Sequence, residues 1–190
     1  MAIAPRKPLA TSLLPHRPIP TLKENPIPVD GIILEPLPNV VASDYFTPRL
    51  LALLSNALVW RESMLLRQEF NLGTNDWRVI SALATRPGSS ATEVTEFLAM
   101  NKAVVSKAVN TLIERDLISS TDGPRGSRML YLTGDGAEMH DKMLPISLEG
   151  EEIILAELNP KEVRQLHALL DKLMVRLPAL SPEGSSSPTS

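Results

Sequence analysis

The chain has 190 residues, a formal net charge of −3 at neutral pH and no cysteine. These values exclude disulfides, thiol redox chemistry and cysteine-based metal sites, and they give no overall basic signal for nucleic-acid binding. No apolar run of about 18 residues is present, which predicts no membrane span. The proline-broken start also lacks the apolar centre of a signal peptide. We therefore expect a cytoplasmic protein.

Residues 1–43 contain nine of the seventeen prolines, spaced too closely for a helix or a central strand. We predict an extended Pro-rich arm. Its basic first half could lie on DNA, its apolar run from Val29 to Leu37 could pack against a partner subunit, or the whole arm could be loosely packed. At the other end, residues 179–190 are low in complexity and are expected to form a flexible tail.

Two long apolar patterns follow the arm. The first predicts a helix from about Ser43 or Tyr45 to Phe70 with two neighbouring apolar stripes, which would need two packing partners. The second predicts a helix that Thr74 caps and Arg86-Pro87-Gly88 stops. Its inward residues are predicted to be Trp77, Ile80, Leu83 and Ala84.

Residues 90–117 predict two short helices around a tight turn at Ala99-Met100. Ser90 and Glu93 have the spacing of a capping box, and the apolar face of the first helix is predicted to hold Val94, Phe97 and Leu98. After the turn, apolar residues recur at i, i+3, i+4 and i+7, which predicts one buried stripe. That stripe is Val105, Ala108, Val109 and Leu112.

The opposite face of this second helix carries no carboxylate. It contains Asn101, Lys102, Ser106, Lys107 and Asn110. Asn and Lys are side chains that read purine edges or hold phosphates from the major groove, so the face favours DNA contact. Taken alone, the same face could also be ordinary solvated surface.

A hairpin is predicted next, from strands at Ile118–Thr121 and Met129–Leu132 around a turn-forming loop. The loop carries Arg125 and Arg128, which could meet the DNA backbone or minor groove, or could simply be solvated. A helix-turn-helix followed by a hairpin with a basic tip predicts a winged helix. The fold class is therefore mainly α with a small β-hairpin wing, plus a helical dimerisation region.

The C-terminal third predicts two more helices. Thr133 caps the first, in which Met139, Met143 and Ile146 are apolar and Pro145 is expected to cause a kink. Asn159-Pro160-Lys161-Glu162 starts the second, which has a heptad pattern formed by Val163, Leu166, Leu170, Leu173 and Leu177. These helices hold more apolar surface than a lone winged helix can cover, so we expect a homodimer built from the first helix and the last two.

Residues of roughly 45–177 resemble the MarR family of winged-helix transcriptional regulators. The resemblance rests on Asn75–Ile80, the helix order, and the Leu132-Thr133-x-x-Gly136 signature that opens the helix after the wing. Two positions depart from the family pattern: the wing has Pro124-Arg125-Gly126 in place of Asp-x-Arg, and Asp116 stands where a glycine is common. The resemblance implies a regulator at residues 44–178, with dimerisation helices at about 44–70 and 134–177 and the winged helix at about 74–132.

The resemblance and the helix pattern together predict DNA contacts over an inverted repeat, because a two-fold dimer presents two recognition helices to two half-sites. The residues expected to contact double-stranded DNA are Ser90, Thr92, Asn101, Lys102, Ser106, Lys107, Asn110, Arg125 and Arg128. We expect a repressor. A winged-helix scaffold that binds protein without specific DNA binding is the alternative, consistent with the acidic pI of about 5.7.

The family resemblance also implies a small-molecule effector in a crevice between the dimerisation helices and the winged domain. Arginines and aromatic residues in the first two helices suggest a small aromatic acid or its CoA thioester. The predicted effector residues are Trp60, Ser63, Met64, Arg67, Trp77 and Arg78, although core packing and solvated arginines would explain the same pattern. Effector binding would favour a spacing of the recognition helices that no longer fits the operator.

Enzyme chemistry is not expected. The three histidines form no zinc-protease motif, and the chain has neither a Gly-rich phosphate loop nor a nucleophile elbow. Glu138, His140 and Asp141 are interpreted as exposed helical residues and not as a metal site. No catalytic residue, metal ligand or cofactor is therefore predicted.

Overall fold

The structure is a computed structural model, and it describes residues 22–41 and 46–180, except for the side chain of Arg125. The chain divides into two compact units, one ending at Ala52 and the other beginning at Leu53. Six helices and one antiparallel hairpin are formed within the described ranges. They are α1 (Thr47–Phe70), α2 (Thr74–Thr85), α3 (Ala91–Leu98), α4 (Lys102–Glu114), β1 (Ile118–Asp122), β2 (Arg128–Leu132), α5 (Gly134–Leu155) and α6 (Pro160–Met174). This confirms the predicted mainly helical fold with a two-stranded wing.

Residues 22–41 form neither a helix nor a regular strand. An isolated bridge joins Val29 and Ile32. The side chain of Asn39 accepts a hydrogen bond from the Lys23 amide at 2.8 Å, and its Nδ2 donates to the Lys23 carbonyl. The apolar side chains of this segment are exposed, among them Ile32 and Leu34. Three of the four basic residues predicted for the arm, Arg6, Lys7 and Arg17, lie outside the described ranges, and Lys23 lies within them.

Helix α1 begins at Thr47, after Phe46. The predicted start at Ser43 or Tyr45 lies outside the described residues. Pro48 sits in the first turn, where its missing amide hydrogen costs no helical hydrogen bond. The helix ends at Phe70 as predicted, and Asn71 leaves it with a φ of 53°.

Two predictions for α2 are wrong. Gly73, not Thr74, is the residue before the helix, and the carboxylate of Asp76 accepts a hydrogen bond from the Gly73 amide at 2.8 Å. Thr74 is instead a buried residue of the first turn. Ala84 is exposed, because the buried stripe of α2 ends at Leu83 and includes Val79 and Ala82.

The helix-turn-helix forms as predicted, with one exception. Ala99 ends α3 in the left-handed conformation, at φ 49°. The apolar stripe of α4 is fully packed, since Val105, Ala108, Val109 and Leu112 are all buried. Phe97, however, is 42% exposed, and the Arg86 guanidinium lies 4.0 Å from its ring centroid. The short helix α3 therefore reaches the core mainly through Val94.

The capping box at the start of α3 is confirmed. The Ser90 hydroxyl accepts a hydrogen bond from the Glu93 amide at 3.3 Å, and the Glu93 carboxylate accepts from the Ser90 amide at 2.7 Å. The backbone and hydroxyl hydrogen bonds from Ser90 lower the pKa of Glu93 below its usual 4.5. A lowered folded-state pKa means that this carboxylate stabilises the fold above pH 4.5, and that the stabilisation is lost as the pH falls through the folded-state pKa.

Replacing Ser90 with alanine should lower the free energy of unfolding by about 1 kcal/mol, because one amide at the helix start loses its acceptor. Urea denaturation followed by circular dichroism measures this change. Ser106→Ala is the matched control, since Ser106 is exposed on α4 and outside any cap. Equal stabilities of the two variants would show that the capping box does not stabilise the domain.

The wing is a two-stranded antiparallel sheet in which Ile118 pairs with Leu132 and Asp122 pairs with Arg128. A short 3-10 turn at Pro124–Gly126 forms its tip. An isolated bridge between Ser89 and Leu130 ties the segment before α3 to β2. This bridge holds the wing beside the helix-turn-helix.

Helix α5 starts where predicted. The Thr133 side chain accepts a hydrogen bond from the Gly136 amide at 3.0 Å and donates one to the Asp116 carbonyl at 2.7 Å. Asp116 has a φ of 57°, in the left-handed region that favours glycine. The chain that leaves α4 therefore runs directly against the first turn of α5.

Helix α6 starts at the predicted signal, with the Asn159 side chain accepting from two amides of the first turn. It ends at Met174, so Leu177 lies in a following 3-10 turn and not in the predicted helix. Within the described chain, no α6 residue is buried, and Leu169, Leu170 and Leu173 are 37–50% exposed. The apolar face of α6 is thus largely uncovered.

The buried core lies within and around the winged helix. It combines α2, α4 and the wing with one residue each from α1 and α3, two from α5, and Leu72 and Leu117 from the connections. The most completely buried side chains include Leu66, Ile80, Leu83, Leu112 and Met143. No helix in residues 22–41 and 46–180 has both the length and the apolar character needed to cross a membrane.

Candidate nucleic-acid interface

The solvent side of α4 presents the polar residues that the sequence singles out. Its buried stripe orients the helix, so that Lys102, Ser106, Lys107 and Asn110 are all exposed. No carboxylate occurs from Asn101 to Ile113, and Glu114 is the last residue of the helix. The exposed face is therefore cationic and polar, and it complements the negative charge of a DNA backbone.

The residues at the start of α3 and α4 have partly structural roles. The Asn101 side chain accepts a hydrogen bond from the Ala103 amide at 2.8 Å, which caps α4. Ser90 caps α3, while Thr92 is exposed in its first turn. The cap occupies the Asn101 side-chain oxygen, so this residue would meet DNA through its amide nitrogen.

Of the two wing arginines, the structure describes the side chain of Arg128 and only the backbone of Arg125. Arg128 begins β2, is exposed, and donates from Nη2 to the Ser120 hydroxyl at 2.7 Å across the hairpin. This hydrogen bond holds the guanidinium along the strand. Arg125 lies in the 3-10 turn at the tip of the wing.

Sequence reasoning missed Arg115, which follows α4. Its Nη1 donates to the carbonyls of Phe70 and Asn71 at 3.1 and 3.2 Å. These carbonyls lie at the end of α1, where a helix leaves its last acceptors without intrahelical donors. The end of the candidate DNA-reading helix is thus joined to the end of α1. No local sequence signal predicts a contact between residues so far apart along the chain.

The six predicted effector residues do not form one site. Trp77 and Arg78 line one cleft, of about 480 Å³, between α1, α2 and α5, which we call the α5 cleft. Ser63 and Arg67 line a second cleft, of about 670 Å³, which we call the α4 cleft because Val104, Lys107, Ala108 and Thr111 form one wall. Trp60 and Met64 line neither cleft, and Trp60 is 70% exposed.

Four charged residues line the α5 cleft, namely Arg61, Glu62, Arg78 and Glu151, and the first two are already paired. Arg61 donates to the Ile146 carbonyl at 3.1 Å and forms an ion pair with Glu149. Glu62 accepts a hydrogen bond from the Ser147 hydroxyl. Arg78 has no hydrogen-bond or ion-pair partner in the described part of the chain, so it is the cation of this cleft that can meet a ligand. Trp77 is 6% exposed and mainly belongs to the core.

His140 makes contacts that suit a structural role. Its ring lies 5.3 Å from the Trp77 ring, centroid to centroid, and its Nδ1 lies 2.9 Å from the Asp141 carboxylate. In the described ranges, no group of three or more His, Cys, Asp or Glu side chains could hold a metal ion.

Comparisons of the sequence and of the structure with known proteins point to the same family. A family model described as "MarR family" matches residues 70–129, which run from the end of α1 to the start of β2. No curated protein matches this chain. The matched region contains the whole helix-turn-helix.

Solved structures share the fold over most of the chain. A MarR/EmrR-family transcriptional regulator from Acinetobacter sp. ADP1 is 27% identical, with a TM-score of 0.68, and the match covers 74% of this chain and 100% of that one. MepR of S. aureus, solved in complex with DNA, is 19% identical with a TM-score of 0.64 over 72% of this chain and 99% of its own. PcaV of Streptomyces coelicolor, solved with its natural ligand, is 20% identical with a TM-score of 0.60 over 72% and 96%. The family model matches the winged-helix region of this chain, and the solved structures share its fold, so the chain is similar to MarR-family winged-helix transcriptional regulators.

Proposed function

We propose that the protein is a sequence-specific DNA-binding repressor that acts as a homodimer on an inverted-repeat operator. The observation that carries this proposal is the exposed, carboxylate-free face of α4, which faces away from a completely buried apolar stripe. Lys102, Ser106, Lys107 and Asn110 would enter the major groove. Ser90, Thr92 and Asn101 would contact the backbone, and Arg125 and Arg128 would act from the wing. This role agrees with the cytoplasmic location expected from the sequence.

The net charge of −3 does not oppose this proposal. DNA affinity depends on the charges that reach phosphates, and a local cationic surface is enough for specific binding. MepR, which shares this fold, has been solved with DNA. That complex supports DNA binding as the function of this fold in this chain.

Uncovered apolar surface supports the dimer. Large apolar side chains are exposed on α1, on the second half of α5 and on α6, including Leu53, Trp60, Ile153, Leu170 and Leu173. This many large apolar side chains exposed on three helices favours an interface. We therefore assign residues 44–178 to the regulator, with the segments at about 44–70 and 134–177 forming the dimerisation region and 74–132 the winged helix. Residues 1–43 and 179–190 are its extension and tail.

The α5 cleft is the proposed effector site, with a small aromatic acid or the acyl part of its CoA thioester as ligand. Its volume of about 480 Å³ suits a small molecule. Arg78 offers the planar fork that grips a carboxylate, beside the partly exposed apolar edge of Ile154. PcaV, of the same fold, has been solved with its natural ligand. Binding here would release the operator.

Fluorescence anisotropy of the purified protein against DNA from upstream of its own gene, and against shuffled DNA, tests the proposal. We expect tight binding only to the upstream fragment. The affinity should fall steeply with salt, by about one power of salt concentration per phosphate contact. Equal and weak binding to both fragments would contradict a specific regulator. The alternative, a winged-helix protein-interaction scaffold, would then be tested by a pull-down of protein partners. The affinity for such a partner should depend only weakly on salt concentration.

A further inference from the structure

Helices α1 and α4 face each other across an open cleft. Val59, Ser63 and Arg67 of α1 form one wall of the α4 cleft, and four residues of α4 form another. The cleft has a volume of about 670 Å³. Because it separates the middle parts of the two helices, side-chain packing does not join them there. The contacts at the end of the cleft therefore decide how firmly α4 is held to α1.

The packing that joins α1 to the winged helix is thin. In the part of the chain that the structure describes, Leu66 is the one buried residue of α1, whereas α4 buries four. Leu65 and Phe70 pack against the core and are only partly buried. The Thr74 hydroxyl donates to the Val59 carbonyl at 3.4 Å, which is long for a hydroxyl donor. A further contact at this joint would therefore have a large effect on its stiffness.

Arg115 provides such a contact. Its Nη1 donates to the carbonyls of Phe70 and Asn71 at 3.1 and 3.2 Å. Both carbonyls lie at the C-terminal end of α1, where a helix has acceptors without intrahelical donors and the negative end of its dipole. A guanidinium satisfies these acceptors and is attracted by the dipole. Arg115 is also the residue that ends α4, so the link joins one helix end directly to the other.

The backbone is fixed on both sides of this link. Asn71 has a φ of 53°, and its amide donates to the Arg67 carbonyl at 3.1 Å. Asp116, which follows Arg115, has a φ of 57°, and its amide donates to the Ile113 carbonyl at 3.0 Å. The Asp116 carbonyl also accepts the Thr133 hydroxyl at 2.7 Å. A guanidinium held between two such fixed turns transmits the position of one helix end to the other.

We propose that Arg115 is a positioning residue for DNA recognition, because its link to the end of α1 fixes the angle between α4 and α1. This inference rests on the proposed function, in which α1 helps to form the dimer and α4 enters the major groove. The duplex sets the distance between two half-sites, so both recognition helices reach their half-sites only when this angle is fixed. Arg115 acts through α4 and contacts neither base nor phosphate.

Residual dipolar couplings of the full-length protein test the link in the absence of DNA. In the wild type, the amides of residues 53–70 and those of α4 should fit a single alignment tensor. In Arg115→Gln, the couplings of α4 should no longer fit the tensor of residues 53–70, while urea denaturation should show a folded protein. A single tensor in Arg115→Gln, or two separate tensors in the wild type, would overturn the positioning role.

Fluorescence anisotropy with the upstream DNA fragment tests the consequence. The dissociation constant should rise about tenfold in Arg115→Gln, the equivalent of about 1.4 kcal/mol, because α4 must then be ordered at the moment of binding. The salt dependence should stay that of the wild type. A salt dependence shallower by one power of salt concentration would show a phosphate contact and overturn the proposal.

The matched control is Arg164→Gln, which removes the same charge from an exposed position on α6. It should bind the upstream fragment as the wild type does. An equal loss of affinity in both variants would show that overall charge, and not the link, is responsible.

An operator lengthened by one base pair at the centre of its inverted repeat separates the half-sites by about 3.4 Å more. The wild type should bind this operator less tightly than the original one, whereas Arg115→Gln should bind both about equally. Equal discrimination by the two proteins would overturn the positioning role. If the wild type shows no preference for the upstream fragment, the proposed function fails, and the dipolar couplings decide the Arg115 link by themselves.

Discussion

Replacing Lys102 and Lys107 together with alanine should weaken specific DNA binding about 100-fold, because each lost contact costs about 1–3 kcal/mol of binding free energy. Both side chains lie on the exposed face of α4, opposite its buried stripe, so the fold should not change. The salt dependence should become shallower by about one power of salt concentration for each lysine that meets a phosphate. Anisotropy over a salt series measures both effects, and circular dichroism checks the fold.

The matched control is the double variant Lys142→Ala, Lys161→Ala. It removes the same two charges from exposed positions on α5 and at the start of α6. Its DNA affinity should stay close to that of the wild type. If both double variants lose affinity equally, DNA is attracted by overall charge and not by the α4 face. If neither loses affinity, the proposed reading face is wrong.

Gly136→Ala should lower the free energy of unfolding by about 3 kcal/mol, at the upper end of the usual cost of overpacking. A Cβ at this position would stand 2.0 Å from the Leu117 carbonyl oxygen. That oxygen accepts the Thr133 amide at 3.1 Å and is held by the chain that leaves α4. Neither backbone segment can move without breaking the Thr133 contacts that start α5. Urea denaturation measures the loss.

Gly134→Ala is the control two residues away, in the same first turn of α5. No atom lies within 4 Å of a Cβ built at Gly134. The substitution should leave stability unchanged or raise it slightly, by up to about 1 kcal/mol, because alanine favours the helix over glycine. Similar stabilities of Gly136→Ala and Gly134→Ala would show that α5 does not pack as closely against Leu117 as the structure shows.

Local signals explain why the winged helix could be predicted. A capping box such as Ser90 with Glu93 involves only one turn of chain, so residue type and spacing are sufficient to locate it. The α4 stripe repeats at the helical period, and all four of its residues are buried. The same holds for Thr133 and Asn159, whose side chains cap the helices that follow them.

The errors concern positions where neighbouring groups compete. Thr74 has a good capping side chain, but Asp76 provides the hydrogen bond one residue earlier, to Gly73. Phe97 is apolar and correctly spaced, yet α3 is short, and the ring instead meets Arg86 at the surface. Periodicity indicates which side chains share a face, and it does not show how far the neighbouring elements extend over that face.

The effector residues show a related difference. Arg67 and Arg78 are both arginines facing the region between α1 and α2, and the sequence assigns them to one site. The structure places them in separate clefts, and Lys107 lines the same cleft as Arg67. The link from Arg115 to the end of α1 likewise joins residues 44 and 45 positions apart in sequence.

The sequence by itself determined the elements of this protein, namely its helices, its hairpin, its caps and the polar face of α4. These depend on hydrogen bonds and side-chain periodicity within a few residues, and such local patterns are visible in the sequence. Only the tertiary structure decided which cations share a cleft, which apolar side chains remain uncovered, and why position 136 has no room for a Cβ. These properties depend on distances between segments that are remote in sequence, and packing sets those distances.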